Sequence, residues 1–433
     1  MTETKEHLRR EVGVLGLSAN IINTIIGAGI FVLPAIVAES LGAASVLAYL
    51  FCGILVSLVM LCFAELGSEV TTSGGAYAYI QSSFGPYFGF LAMILFGVAA
   101  ISADAAVANA IVNILGSLFP IFQMGIFKIL FFAIVFGGLA YINVKGIKEG
   151  ISLVKLVTLA KLIPLLLLVF FSFGEVTLTN LAIDSAPSIV DLGKASLILF
   201  FAFQGAESGL SIGGEVKNPR KTIPKAIFIG IASVLILYIL VQTVSQGVLG
   251  DSLTTFKDNP LSIVAEYVFG PVGFTLLTIG AAVSMFGALS SEVLSVPRVF
   301  FRAATDKVLP IKQFSKVHPK FATPYVSVIS YAALCFLFAT VGGFQQLAII
   351  SSASMLLVYL GVSLAVIKFR KSKGSEISKE AFKIPGGFLV PVLSASIIMW
   401  LLSNLQKNQA IGIVLFVGLL TILYFIKKKF FEK

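Results

Sequence analysis

Two glycine-rich interruptions of apolar segments hold the sequence's most reactive backbone. One is Ile25-Ile26-Gly27-Ala28-Gly29-Ile30-Phe31, with Pro34 one turn on; the other is Phe203-Gln204-Gly205-Ala206-Glu207-Ser208-Gly209, followed by Gly213-Gly214. Glycine weakens a helix, and an unwound turn frees backbone N–H and C=O groups. In hydrocarbon such groups are tolerated only where they line a cavity or face other protein. Freed N–H groups at the start of a half-helix attract an anion such as a carboxylate, and freed carbonyls attract an ammonium or another cation. Close helix packing would account for either cluster taken singly.

Ionisable residues inside apolar runs are the second kind of signal. A Lys or Asp at a helix centre costs about 2.5–3.5 kcal/mol on insertion scales, so each needs a reason. Lys161 lies about eleven residues into its run, ~16 Å along a helix at 1.5 Å per residue and near the midplane. Lys155 lies closer to the cytoplasmic end and can snorkel. Glu207 directly follows the second interruption, where a buried carboxyl either carries a proton or holds the unwound segment. Asp104 stands in V-A-A-I-S-A-D-A-A-V-A-N. It either meets a cationic ligand group or a proton, or pairs with Lys161 or another basic residue. Glu65, Glu69 and Glu292 read as solvated or paired helix ends, with an inner gate alongside Arg298 and Arg302 as the other reading.

These residues need a scaffold that composition defines. The chain has 433 residues, 58% hydrophobic and 12% charged, where a soluble protein carries about 25% charged residues. It cannot cover a globule of its size with solvated groups, so the solvent that fits is a bilayer. About 20 apolar residues cross the ~30 Å core, and roughly twelve runs qualify. They are 13–36, 43–66, 86–116, 126–144, 150–172, 195–213, 226–248, 271–301, 325–342, 346–369, 386–404 and 410–426. A shorter apolar piece, 261–270, reads as re-entrant or interfacial. The expected fold is an all-α polytopic membrane protein of about twelve transmembrane helices. The first run is too long for the core of a cleavable signal, so it is expected to stay.

Most of the 31 lysines and arginines fall on one side of that arrangement. The N-terminal segment (Lys5, Arg9, Arg10), the even-numbered connections after the second, and the closing K-K-K-F-F-E-K are basic. The opposite loops hold Lys128, Lys194, Lys257 and Lys407 together with acids such as Glu175, Asp184, Asp191 and Asp251. The positive-inside rule then puts both termini in the cytoplasm of a multi-pass cell-membrane protein. It also explains the net charge of +10 as an insertion signal rather than a nucleic-acid surface. The two interrupted runs are the first and the sixth. A five-span separation is the relation expected of two inverted five-helix repeats, 13–172 and 195–369, with 386–426 adding two helices to a single transport domain.

Several motifs in order resemble the amino acid–polyamine–organocation superfamily over nearly the whole chain. They are N-T-I-I-G-A-G-I-F in the first run, A-E-L-G-S-E-V-T-T-S-G-G-A-Y-A-Y-I after the second, and F-F-A-F-Q-G-A-E-S running into G-G-E-V-K-N-P-R-K-T-I-P-K-A-I. V-P-R-V-F-F-R-A-A-T-D-K-V-L-P and V-H-P-K-F-A-T-P complete the set. The resemblance implies an inverted-repeat fold of the leucine-transporter type and alternating-access transport of amino acids or related amines. It implies a carboxylate on the N–H groups of Ile26, Gly27, Ala28 and Gly29, and an amino group on the carbonyls of Phe203, Gln204, Gly205 and Ala206. It implies an aromatic gate at Phe201, and places Asp104 where the arginine–agmatine antiporter has a polar binding residue. In sodium-independent relatives a fifth-helix lysine replaces a sodium ion, and Lys161 is similar to it. The expected function is therefore sodium-independent exchange or proton symport, with Lys161 and Glu207 in coupling. Polyamine or organic amine exchange is the alternative.

Other function classes find little support. Cys52, Cys62 and Cys335 sit in apolar runs without metal spacing, and no metal or cofactor is expected. There is no HExxH and no GxxxxGK[ST], so energy comes from gradients or exchange. The string Gly209-Leu210-Ser211-Ile212-Gly213 lies inside an apolar run with no histidine near it, and an enzyme is not expected. A channel would bring a repeated pore loop, and none is found.

Overall fold

The computed structural model describes residues 12–69, 75–146, 151–209, 216–309, 311–373 and 382–431. Lys5, Arg9, Arg10, Gly213-Gly214, the Leu210–Gly213 part of the GxSxG string and the last two residues lie outside the described residues. The described chain is helical apart from its loops and one isolated bridge between Val12 and Val216. A helix satisfies its own backbone, which suits long runs of Leu, Ile, Val, Phe and Ala in hydrocarbon.

The first interrupted run gives two helices, α1 (Val14–Ile25) and α2 (Gly29–Leu41). Then come α3 (Ser45–Glu69), α4 (Ala76–Phe84), α5 (Pro86–Gly116), α6 (Gly125–Lys145) and α7 (Ile151–Ser172). The second interrupted run gives α8 (Ile189–Leu199), a 3₁₀ turn at Phe200–Phe203 and α9 (Ala206–Gly209). The rest are α10 (Pro219–Leu249), α11 (Pro260–Thr305), α12 (Tyr325–Val341), α13 (Phe344–Lys373), α14 (Leu389–Ser403) and α15 (Lys407–Phe431). Among the described residues eight stretches are long and apolar enough to cross a membrane. One of them, Gly29–Glu69, contains both α2 and α3. Exposed apolar side chains such as Ile126, Ile134, Phe170, Leu276 and Val414 give α6, α7, α11 and α15 the surface of lipid-facing helices.

Segment 261–270 is a helical stretch of its own, set off from the following run by the non-helical Gly270 (φ 69°) just before Pro271, so that α11 is two helices joined at a kink. One element differs from the sequence expectation. The short helix α4, A-Y-A-Y-I-Q-S-S-F, had no counterpart in the run pattern, because nine residues are too few to span.

The packing brings the broken runs together. Helix α1 packs on α9 and α10, α2 packs on α8, and α13 lies along α5, α3 and α4. The C-terminal parts of α3 and α13 are joined by a buried ion pair. Arg370 donates from Nε to Glu65 Oε1 at 2.6 Å and from Nη2 to Glu65 Oε2. It also donates to the carbonyls of Ile384 and Gly387, and Glu65 accepts the Ile384 N–H at 2.7 Å. Each nitrogen of the guanidinium and both carboxylate oxygens have a partner, which a buried charge requires. Arg302 pairs instead with Asp306 on its own helix at 2.9 Å, and Arg298 donates to the Leu294 carbonyl. An inner gate of Glu65 with these arginines is therefore not formed.

Removing one partner of a buried pair costs about 3–5 kcal/mol because the other charge is stranded. R370M should therefore lower the melting temperature of the detergent-purified protein sharply. The double variant E65M/R370M should recover part of that loss, and equal melting of single and double variants would count against the pair.

Candidate functional site

The two breaks meet backbone to backbone. At the first, Ile26 is extended (φ −73°, ψ 97°), so α1 ends and α2 restarts at Gly29. At the second, Gln204 is extended (ψ 159°) and Gly205 takes φ +100°, a region that side-chain-bearing residues avoid. A Cβ on Gly205 would lie 2.5 Å from the Thr24 carbonyl oxygen. A Cβ on Gly29 would lie 2.5 Å from Ala202 Cβ. Glycine at these two positions is thus a requirement of contact between the breaks.

Around them lies a cavity of about 420 Å³. Gly27, Ala28, Gly29, Asp104, Lys161, Phe201, Gln204, Gly205 and Glu207 all line it. Ile26, Phe203 and Ala206 do not; their side chains are buried, and Phe203 packs edge-on against Tyr238 at 5.3 Å. Glu292, read from the sequence as a helix end, also lines the cavity, because α11 runs on past it to Thr305.

Lys161 sits at the open end of α1. Its Nζ donates to the carbonyls of Ile26 at 2.9 Å and Asn23 at 3.1 Å. The last carbonyls of a helix lack intrahelical donors and carry the negative end of its dipole, so an ammonium there meets both needs. Among the described residues no carboxylate pairs with Lys161, and its partners are backbone. Asp104 also lacks a basic partner; its Oδ2 accepts from the Tyr331 hydroxyl at 2.8 Å.

The second break is gripped from α13. Ser351 donates to Gln204 Oε1 at 2.9 Å, and Gln204 Nε2 donates to Ser352 at 3.3 Å. The Tyr359 hydroxyl donates to Glu207, which also accepts the Gly205 N–H at 3.2 Å. The Gln204 amide is thus engaged at both ends. Phe201 lines the cavity and packs edge-on against Phe344, with ring centroids 5.7 Å apart. Sequence reading missed Ser351, Ser352, Tyr359 and Tyr331. Hydroxyl groups on apolar helices are common, and only the third dimension shows which of them face a break.

A cavity with a few polar groups built on broken helices, inside a shell of apolar helices of membrane length, defines a membrane transport protein. The chain belongs to the amino acid permease family, whose family model matches residues 12–426. It is 31% identical to the serine/threonine exchanger SteT of Bacillus subtilis, over 98% of both chains. It is 26% identical to the branched-chain amino acid permease BcaP of the same organism, over 98% of this chain and 94% of the relative. It is 31% identical to an arginine/ornithine antiporter of Pseudomonas aeruginosa, over 68% of this chain and 64% of the relative.

The contact at Gly205 sets a sharp test. G205A adds a methyl group against a backbone oxygen at a positive φ, and strain of this kind costs about 1–3 kcal/mol before any displacement of α1. It should melt well below wild type and lose ligand protection. G138A, on α6 with nothing within 4 Å, is the control and should melt like wild type.

Proposed function

We propose that this chain is a secondary active transporter of amino acids, sodium-independent, working by alternating access as an exchanger or a proton-coupled symporter. The carrying observation is that Gly27, Ala28, Gly29, Gln204 and Gly205, from two breaks far apart in sequence, line one cavity. An α-amino acid carries its carboxylate and its ammonium on one carbon, so both ends fall within a single cavity. Its carboxylate fits the N–H groups at the start of α2, where the helix dipole is positive. Its ammonium fits the carbonyls around Phe203–Ala206. Twelve crossings, an inverted repeat relating α1–α7 to α8–α13, and cytoplasmic termini belong to this reading. The exchangers and permeases among its relatives support it.

Sodium independence rests on Lys161, whose ammonium occupies the carbonyls that a cation would otherwise take. Glu207 is the candidate proton carrier, since its carboxyl is tied to both the unwound backbone and α13. Asp104 and Glu292 favour a second reading, exchange of cationic amino acids or polyamines. Both acids line the cavity, and each adds a negative charge that a cationic side chain would offset.

Counterflow in proteoliposomes, run with a panel of amino acids and amines, tests the proposal. Saturable, stereoselective exchange of at least one amino acid is expected; exchange of none, with the protein shown to be folded, rejects transport of this class. Replacing sodium by choline should leave the rate unchanged, whereas a sodium requirement would remove Lys161 from the role given to it. K161A strands two carbonyls and should lower exchange at least about tenfold, since an unsatisfied buried group costs about 1–3 kcal/mol. If cationic substrates lead the panel, D104N should demote them relative to neutral ones, and an unchanged order would exclude contact with Asp104.

A further inference from the structure

Asp104 lines the cavity, but the group that holds it does not. Its Oδ2 accepts from the Tyr331 hydroxyl of α12 at 2.8 Å, and Tyr331 is fully buried and no part of the cavity lining. No other hydrogen bond reaches this carboxyl from the described residues, and Oδ1 is not sealed inside the protein. One oxygen is therefore bound behind the wall, and the other is left for the cavity.

The phenol is set by its surroundings. Ser327, Tyr331, Cys335 and Ala339 recur every fourth residue on one buried face of α12. Phe300 of α11 packs edge-on against the Tyr331 ring at 5.8 Å. It also fills the space over Gly97 of α5, where a Cβ would lie 3.0 Å from its ring. A second tie joins α5 and α12, because Asn109 Nδ2 donates to the Ala339 carbonyl at 3.1 Å. The Asp104 carboxyl is not fixed by its own bonds, since the last torsion of an aspartate is broad and roughly two-fold. A hydroxyl donating to a carboxylate is a strong contact, and here it decides which oxygen turns to the cavity.

We propose that Tyr331 is a positioning residue for substrate choice. By holding Oδ2 it presents Oδ1 as an acceptor at one fixed place on the cavity wall. The cavity then favours amino acids whose side chain carries a hydrogen-bond donor, a hydroxyl or an ammonium. An apolar side chain of the same shape leaves that oxygen desolvated and unpaired, which a site built around a polar contact penalises. This rests on the amino acid transport reading of the same cavity and on contact of the side chain with Asp104. It adds that selection depends on a residue that no ligand touches.

Two matched pairs read the effect in counterflow: threonine against valine, and ornithine against norleucine. The quantity is the ratio of half-saturation concentrations, apolar member over donor-bearing member. In wild type it should be at least about tenfold for one pair, because the contact is to a charged group. Threonine would identify hydroxyl side chains and ornithine cationic ones. D104A should abolish the ratio, and Y331F should cut it at least about threefold. On the D104A background Y331F should change it no further, because the phenol acts only through that carboxyl. Y49F removes a buried hydroxyl that has no hydrogen-bond partner among the described residues, and should leave the ratio as in wild type.

A merely structural tyrosine would lower the yield of folded protein or the maximal rate and leave the ratio unmoved. A ratio that D104A abolishes and Y331F leaves at the wild-type value therefore overturns the role of Tyr331 alone. An equal fall on both backgrounds does the same. No discrimination within either pair by an exchanging wild type overturns this inference and leaves amino acid transport standing. No exchange of any amino acid by folded protein overturns both. If Y331F does not yield folded protein, D104E takes its place. It keeps the charge but carries the carboxylate one methylene past the position that the phenol fixes, so the ratio should fall, and an undiminished ratio overturns the proposal.

Discussion

Unwinding a helix inside a bilayer releases polar backbone groups that neither lipid nor neighbouring apolar side chains can satisfy, and the centre of this protein is organised around that problem. The carbonyls at the end of α1 are taken by Lys161 and Tyr238. The Ala202 carbonyl is taken by the same Tyr238. The Gly205 N–H is taken by Glu207. Groups left facing the cavity are then available for a ligand, and they are of both polarities. Close approach of the two breaks follows from glycine at positions 29 and 205, where any Cβ would collide with the opposite segment.

Helix α13 is the second organising element. Through Ser351, Ser352 and Tyr359 it holds Gln204 and Glu207, and its C-terminal end is fixed to α3 by Arg370 and Glu65. Those contacts lie along one length of helix, so a displacement of α13 is felt at the second break. Neutral hydrogen bonds to the break are individually modest, and can be exchanged during a cycle. The fully satisfied ion pair is far costlier to open and suits a fixed joint. The ionisable side chains on the cavity wall are three acids, Asp104, Glu207 and Glu292, and one base, Lys161. That surplus of acid is where a proton or a cationic side chain enters the account.

Much of this was legible in the sequence, because hydrocarbon imposes a length rule on apolar runs. The run 86–116 is helix α5 to the residue, and both interruptions are breaks in the chain. Lys161 was legible too, since an ammonium at mid-membrane must have acceptors, and freed carbonyls stood nearby in the fold the family motifs implied. What could not be read were contacts that need the third dimension. Glu65 and Arg370 are separated by 305 positions, and nothing in either local sequence names the other. Tyr238 sits in an ordinary apolar run, where a tyrosine is more often packed than bonded. Glu292 was read as a helix end although the run 271–301 already continued past it; only the structure shows that it faces the cavity. Phe203 and Ala206 were read for their backbone carbonyls; that their side chains pack behind the break is visible only in the structure.

The central claim is that the two breaks clamp the two ends of a zwitterion, and it is tested most directly by deleting those ends from the ligand. A transported amino acid, its decarboxylated amine and its deaminated acid would be titrated against the purified protein, with binding followed by calorimetry. Loss of either end should weaken binding by at least about tenfold, since each removes a charge-assisted contact worth about 1.5–3 kcal/mol. Equal affinity for the amino acid and for either truncated ligand would contradict the clamp.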